Sequence, residues 1–473
     1  MYLSFIETVA SVNDQLNALV WGLPMLLLLV GTGLYLSARA GFVQFRHFGY
    51  AMKNTLGRVL HRQEAGAGEL TPFQAVSTAL AATVGTGNIV GVTGAIILGG
   101  PGAVFWMWVS ALLGMATKYA EVLLSVRYRR RNAKGEWVGG PMYYMENGLG
   151  RRFKWLSVLF CLFGVMASFG IGNIAQINSI AGSVNTVAAA FFPAAADHQT
   201  AIAVTVGFVI AGFTALVLLG GLKRIGAVTE KLVPFMAALY LLSALAVVIA
   251  NAGRLGETIA LIFRSAFRPQ AILGGTAGGA FLLTVKNGVG RGVFSNEAGL
   301  GSAPIAHAAS SERDPVRQGL YGIFEVFMDT IVICTLTSLA VLTSGVADGN
   351  YGVSALAGVG TTISAFATLF GERAGSVIIA IGLMLFATST ILSWSLYGVR
   401  CWEYLFGSRA VRAYQIVFIL VIVLGASMQL DLVWSISDTL NGLMAVPNLV
   451  ALLGLSTVVG KLTRDRFQTK TRL

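Results

Sequence analysis

Gly85-Thr86-Gly87-Asn88-Ile89-Val90-Gly91 sits in the middle of an apolar stretch, Pro72 to Leu98, and its reading decides the fold. As a single helix that stretch would be about 40 Å long, more than a hydrocarbon core of about 30 Å requires. Gly85 and Gly87 each weaken a helix interior and adopt backbone angles closed to other residues, so the ladder is expected to open there. Open backbone at membrane depth is tolerated only where protein buries it or where it lines a wet cavity. The stretch from Thr78 to Gly94 is therefore the candidate binding site. Glycines also let helices pack closely, but close packing gives Asn88 no role.

The rest of the composition agrees with a chain built for lipid. Of 473 residues 55% are hydrophobic and 11% charged, against about a quarter charged in a soluble domain. Glycine supplies 57 residues, well above the usual 7% or so, as tightly packed transmembrane helices demand. Cys161, Cys334 and Cys401 show no CxxC spacing, so neither a disulfide framework nor a zinc site follows. The four histidines, His47, His61, His198 and His307, fall in expected loops or span ends, where solvated positions are the simpler account. There is no Ser, His and Asp set, no HExxH and no P-loop, so an enzyme is not expected.

Eleven apolar runs are read as spans: about 18–38, 72–98, 103–126, 155–178, 201–221, 228–250, 275–303, 318–343, 375–399, 411–430 and 433–460. The first is expected to stay uncleaved, because no Lys or Arg precedes Arg39. With the amino terminus outside and the carboxyl terminus in the cytoplasm, 26 of the 33 basic residues fall in cytoplasmic segments and four in outside loops. That bias fixes the expected orientation and argues against a nucleic-acid partner as the reason for the net charge of +12.

With the first span set aside, ten remain, and the first of each five carries a glycine-rich interruption. These are Gly85 to Gly91 in one and Asn287 to Gly292 in the other. Two inverted five-span repeats that each open on a broken helix point to a secondary transporter with a midplane site. The expected divisions are 1–71 for the first span and its loop, 72–250 and 251–460 for the repeats, and 461–473 for a cytoplasmic tail. Gly139-Gly140-Pro141-Met142-Tyr143-Tyr144-Met145-Glu146 is read as a short interfacial helix that anchors at the membrane surface or gates the inner mouth.

Three stretches resemble the alanine or glycine:cation symporter family, also called sodium:alanine symporters. They are Ala82 to Ile89, Gly139 to Tyr144, and Phe294-Ser295-Asn296-Glu297-Ala298-Gly299-Leu300-Gly301-Ser302-Ala303. The resemblance implies an all-α LeuT-like fold of ten core helices plus one amino-terminal helix. It further implies sodium-coupled uptake of small neutral amino acids, alanine and glycine, across a bacterial inner membrane, with H⁺ as coupling ion in some members. A channel is the rival from another class, distinguished by flux without saturation or coupling.

An amino acid is a zwitterion, and both poles need partners. The half-helix after the break starts near Thr86, Gly87 and Asn88, and its free N–H groups suit a carboxylate. Ser or Thr hydroxyls and unwound carbonyls suit the ammonium. No Asp or Glu lies between Thr78 and Gly94, as expected if the substrate brings its own carboxylate. Thr390 and Trp394 share a helix face one turn apart, and with Phe169 and Gly170 they would bound a pocket no larger than a methyl side chain needs. Ala387-Thr388-Ser389-Thr390 offers hard oxygens. By the resemblance, Thr388 and Ser389 with the carbonyls of Val84 and Gly87 are the candidate Na⁺ ligands. Lys118 is expected to pair with Glu121, and Glu325 and Asp329 to be answered by protonation or by Lys286 or Arg291.

Overall fold

The computed structural model describes residues 2–59, 65–268, 276–428 and 431–468. Arg62, Lys470 and Arg472, part of the basic bias, lie outside them. The described chain is almost entirely helical, apart from a two-residue hairpin that pairs Arg130–Arg131 with Trp137–Val138. Among the described residues eight helices are long and apolar enough to span a membrane, or nine with the bent pair Pro72–Thr83 and Gly87–Gly99 taken as one. Eleven is reached only by adding Val411–Ser427, which is 17 residues long, and Ala277–Asn296, which carries Lys286 and Arg291.

The first break falls where the glycines place it. Thr71 caps the helix Pro72–Thr83 through a reciprocal bond with Gln74, and Pro72 occupies the first turn, where its missing N–H is harmless. At Val84 the chain turns extended, with φ −78° and ψ 90°. It re-enters through the π-turn Gly87–Gly91 and Val92–Gly99, and the two halves meet at 51°.

The second break is not at Asn287–Gly292. Ala277–Asn296 is helical throughout, and the ladder opens at Glu297, which takes the left-handed conformation at φ 54°. Gly299 and Gly301 follow at φ 96° and 83°, and the chain resumes as the short helix Pro304–His307. Gly288 and Gly292 serve packing instead. A Cβ at Gly288 would lie 2.4 Å from the Ala103 carbonyl oxygen, and one at Gly292 would lie 2.3 Å from Ser110 Oγ. Four residues apart on one face, they bring the helix against Gly102–Tyr128 at near-backbone distance.

The stretch from Gly139 to Met145 is buried rather than a surface anchor. Pro141 packs under Gly301, where a Cβ would meet its Cγ at 2.6 Å, and Ser157 donates to the Met142 carbonyl at 2.8 Å. It supports the second break from below.

Gly288→Val should lower the unfolding temperature of the detergent-solubilised protein, because overpacking costs about 1–3 kcal/mol. Gly290→Ala on the same helix, with nothing within 4 Å of the added Cβ, should leave that temperature unchanged or raise it slightly.

Candidate functional site

The two breaks face one cavity. Ala82, Thr83, Gly85, Thr86 and Gly87 line it from the first, and Phe294 and Glu297 from the second. Thr390 and Trp394 come from Val359–Phe406, Ile171 and Gln176 from the helix that contains the π-turn Gly170–Ile174, and Asn441 from Asp431–Gly454. The cavity is tightly closed, with a free interior of only about 30 Å³. Gly172 seats the indole, since a Cβ there would lie 2.4 Å from Trp394 Cβ.

Chemically the cavity has two poles. Thr86 and Gly87 begin the half-helix after the break, and the first N–H groups of a helix lack intrahelical partners. On the other side stand acceptors. Glu297 receives the Trp394 Nε1–H at 3.1 Å on one oxygen and the Ser302 hydroxyl on the other. Gln176 Oε1 and Asn441 Oδ1 are buried without a hydrogen-bond partner. None of these three acceptors figured among the expected site residues. Glu297 had a signal, because a carboxylate in a span is a functional candidate by default.

Asn88 does not line the cavity. Its carbonyl oxygen accepts the Gly85 N–H at 2.8 Å, and its amide donates to Asp329 Oδ1 at 2.7 Å and Ser295 Oγ at 2.9 Å. Asp329 also receives Ser295 Oγ and Thr330 Oγ1, each at 2.8 Å. The oxygens of Asn88, Ser295, Asp329 and Thr330 are hard donors of the kind Na⁺ takes, all gathered around the first break.

Ser389 and Thr390 reach the other end of the same break. Each hydroxyl has the Ala81 carbonyl at 3.1 Å and the Phe386 carbonyl at 2.8 Å (Ser389) or 3.0 Å (Thr390), and shares its one hydrogen between them. Ala81 lies in the last turn of Pro72–Thr83, where carbonyls lack intrahelical partners, and the two hydroxyls stand in that place. The structure thus joins Ser389 and Thr390 to Ala81, where Thr388 and Ser389 with Val84 and Gly87 were expected. Helical periodicity explains the shift, since Ser389 and Thr390 are three and four residues past Phe386.

Phe169 and Gly170 lie outside the cavity. Phe169 packs on Tyr414 and Phe418, at centroid distances of 5.2 and 5.8 Å. Gly170 abuts Ser437, whose Oγ a Cβ would meet at 1.7 Å. Ile171 and Gln176 close the wall in their place.

The buried charges pair differently from expectation. Lys118 Nζ meets Glu325 at 3.4 Å, and His307 Nε2 meets the other Glu325 oxygen at 3.0 Å, all three fully buried. Glu121 instead accepts the Gly299 N–H at 3.0 Å and the Asn448 amide at 2.6 Å. His307 is therefore a core residue and not a solvated one. Lys286 and Arg291 line a second cavity with Trp21, Phe294 and Asp438. Phe294 belongs to both cavities, edge-on to Trp21 at 6.4 Å and under the Arg291 guanidinium at 5.6 Å.

A multi-pass helical protein with two broken helices around a central two-pole cavity is a secondary transporter of LeuT-like fold. The solved structure of MhsT in complex with L-phenylalanine shares that fold, with a TM-score of 0.57 at 13% identity over 84% of this chain and 99% of that one. The profile of the sodium:alanine symporter family matches residues 6–472, and the chain belongs to that family. It is 47% identical to the sodium/alanine symporter AgcS of Methanococcus maripaludis over 95% of each chain. It is equally 47% identical to an uncharacterized transporter of Haemophilus influenzae, over 98% of this chain and 97% of that one. The chain is thus a sodium-coupled amino-acid symporter and not an enzyme.

Asn88→Ala leaves Asp329 short of one donor and Gly85 N–H without its acceptor. Losing both in a buried site should cost roughly 3 kcal/mol, seen as a lower unfolding temperature in detergent. Ile89→Val, a neighbour outside the network, should cost no more than about 1.5 kcal/mol.

Proposed function

We propose that the chain takes up alanine and glycine with Na⁺ by alternating access, the five-helix sets 72–250 and 251–460 moving against each other about the central cavity. The carboxylate meets the N–H groups at Thr86 and Gly87, the ammonium meets the acceptors opposite, and Trp394 and Ile171 limit the side chain. One sodium sits between Ser389, Thr390 and the Ala81 carbonyl, and the Asn88, Ser295, Asp329 and Thr330 oxygens offer a second seat. The observation that carries this reading is the cavity at the helix break with donors on one wall and unpaired acceptors on the other. The membership of a sodium:alanine family supports the choice of ion and substrate. We place the amino terminus outside and the carboxyl terminus in the cytoplasm of the inner membrane, on the bias of basic residues.

Coupling to one Na⁺ is energetically sufficient. A potential of 100 mV contributes about 2.3 kcal/mol and a tenfold gradient about 1.4 kcal/mol, together enough for accumulation of several hundredfold.

Proteoliposomes with an inward sodium gradient should accumulate alanine and glycine, and collapse of that gradient should abolish accumulation. Accumulation that survives on a proton gradient alone would make H⁺ the coupling ion. Ser389→Ala and Thr390→Ala should each raise the sodium concentration for half-maximal uptake at least tenfold. Trp394→Ala should admit larger side chains. Unchanged alanine affinity together with unchanged side-chain preference would remove Trp394 from the site.

A further inference from the structure

Gln176 and Asn441 reach the central cavity from two different helices, Ala175–Phe191 and Asp431–Gly454, and each brings a carbonyl oxygen that accepts no hydrogen bond from any described residue. Both side chains are more than nine-tenths buried. A buried acceptor left unpaired lowers stability, and an apolar side chain of similar shape would avoid that loss. Two such oxygens on one cavity wall call for a ligand that donates.

Both amides are held in place. The Gln176 side-chain N–H donates to the Ile171 carbonyl of the π-turn Gly170–Ile174 at 2.9 Å, so the nitrogen is used and the oxygen is left over. Asn441 is placed by its helix. One turn earlier Ser437 fits against Gly170, where a Cβ would lie 1.7 Å from its Oγ. The following residue, Gly442, lies against Val20, whose Cγ1 a Cβ would meet at 2.2 Å. The helix is thus clamped between the π-turn and the first span on either side of Asn441. A third acceptor on this wall is Glu297 Oε1, which takes the Trp394 indole N–H and has a second lone pair.

We propose that Gln176 and Asn441 make the carrier selective for a primary ammonium. With Glu297 they offer three acceptors to three N–H groups, so an amino acid alkylated on its nitrogen is rejected. This rests on the reading of the central cavity as the amino-acid site. The rejection originates in the protein. An N-methyl group takes the place of one N–H, and the oxygen that faced that hydrogen stays buried and unpaired beside carbon. A site built to receive an N–H discriminates more strongly against its loss than an apolar pocket discriminates by size. The two amides therefore read the nitrogen, while Trp394 and Ile171 limit what the α-carbon carries. Alanine and N-methylglycine are isomers of the same charge, with the methyl moved from carbon to nitrogen. Comparing them isolates the effect from net charge and composition.

The test is displacement of radiolabelled glycine from the purified full-length protein in detergent at saturating NaCl, with glycine, alanine and N-methylglycine as competitors. The wild-type protein should bind N-methylglycine about ten- to a hundredfold more weakly than alanine or glycine. Asn441→Leu and Gln176→Met keep the bulk and remove the oxygen. Each should weaken glycine and alanine about tenfold and leave N-methylglycine within about threefold of its wild-type Kd, so that the ratio falls towards one. Either variant carries the test if the other does not fold.

Equal affinity of the wild-type protein for alanine and N-methylglycine would overturn the proposal while leaving the amino-acid site standing. Rejection that persists at wild-type strength in either folded variant would come from crowding and not from the oxygen removed, and would overturn it too. If the wild-type protein binds none of the three, the cavity is not an amino-acid site, and both readings fall.

Discussion

Two helices open inside the protein, and every peptide group released there has to find a partner where no bulk water is at hand. The molecule is arranged around that requirement. Gly85 N–H is taken by Asn88, the Ala81 carbonyl by Ser389 and Thr390, and both sides of the Gly299 peptide by Glu121 and Asn448. Apart from Asn88, the side chains that satisfy the breaks come from helices distant in sequence. The same bonds that make an open backbone affordable therefore tie the two halves of the chain together, and binding chemistry and fold stability share residues.

Charges inside the span region follow the same logic of compensation. Lys118 gathers one buried group, Asp329 is held apart from it by Asn88, Ser295 and Thr330, and the exposed cations Lys286 and Arg291 stand by the second cavity. The buried group links Gly102–Tyr128 to Pro304–His307 and Pro315–Val326, so that the segment after the second break is pinned by an ion pair and a histidine and not by apolar packing alone. Removing one member would strand the others, which is how such a group fixes geometry without adding much net stability.

The fold was legible because hydropathy and glycine placement are local signals. The first break does fall at Gly85 and Gly87, although neither takes a positive φ and Gly85 also serves packing, since a Cβ there would lie 2.9 Å from Thr390 Oγ1. Gly288 and Gly292 carried the same local signal and meant something different. Their role comes from Ala103 and Ser110 on another helix, which no local pattern records. Asn88 was recognised as important but assigned to the substrate, because its partners Ser295 and Asp329 lie over two hundred residues away. Lys118 and Glu121, three apart, looked like a pair, whereas the backbone of Gly299 was the stronger claimant on Glu121. Gln176 and Asn441 are single amides in apolar helices, unremarkable until the cavity shows what their oxygens face. Residues that act through their own helix could be read, and those defined by a distant neighbour could not.

Phe294 is common to the central cavity and to the one lined by Lys286 and Arg291. Its ring sits beside Trp21 and under the Arg291 guanidinium. Side-chain rotations are many orders of magnitude faster than helix displacement. The wall that the two cavities share at Phe294 therefore depends on how tightly two neighbours grip one aromatic side chain, and a change at Trp21 or Arg291 would loosen that grip without moving a helix.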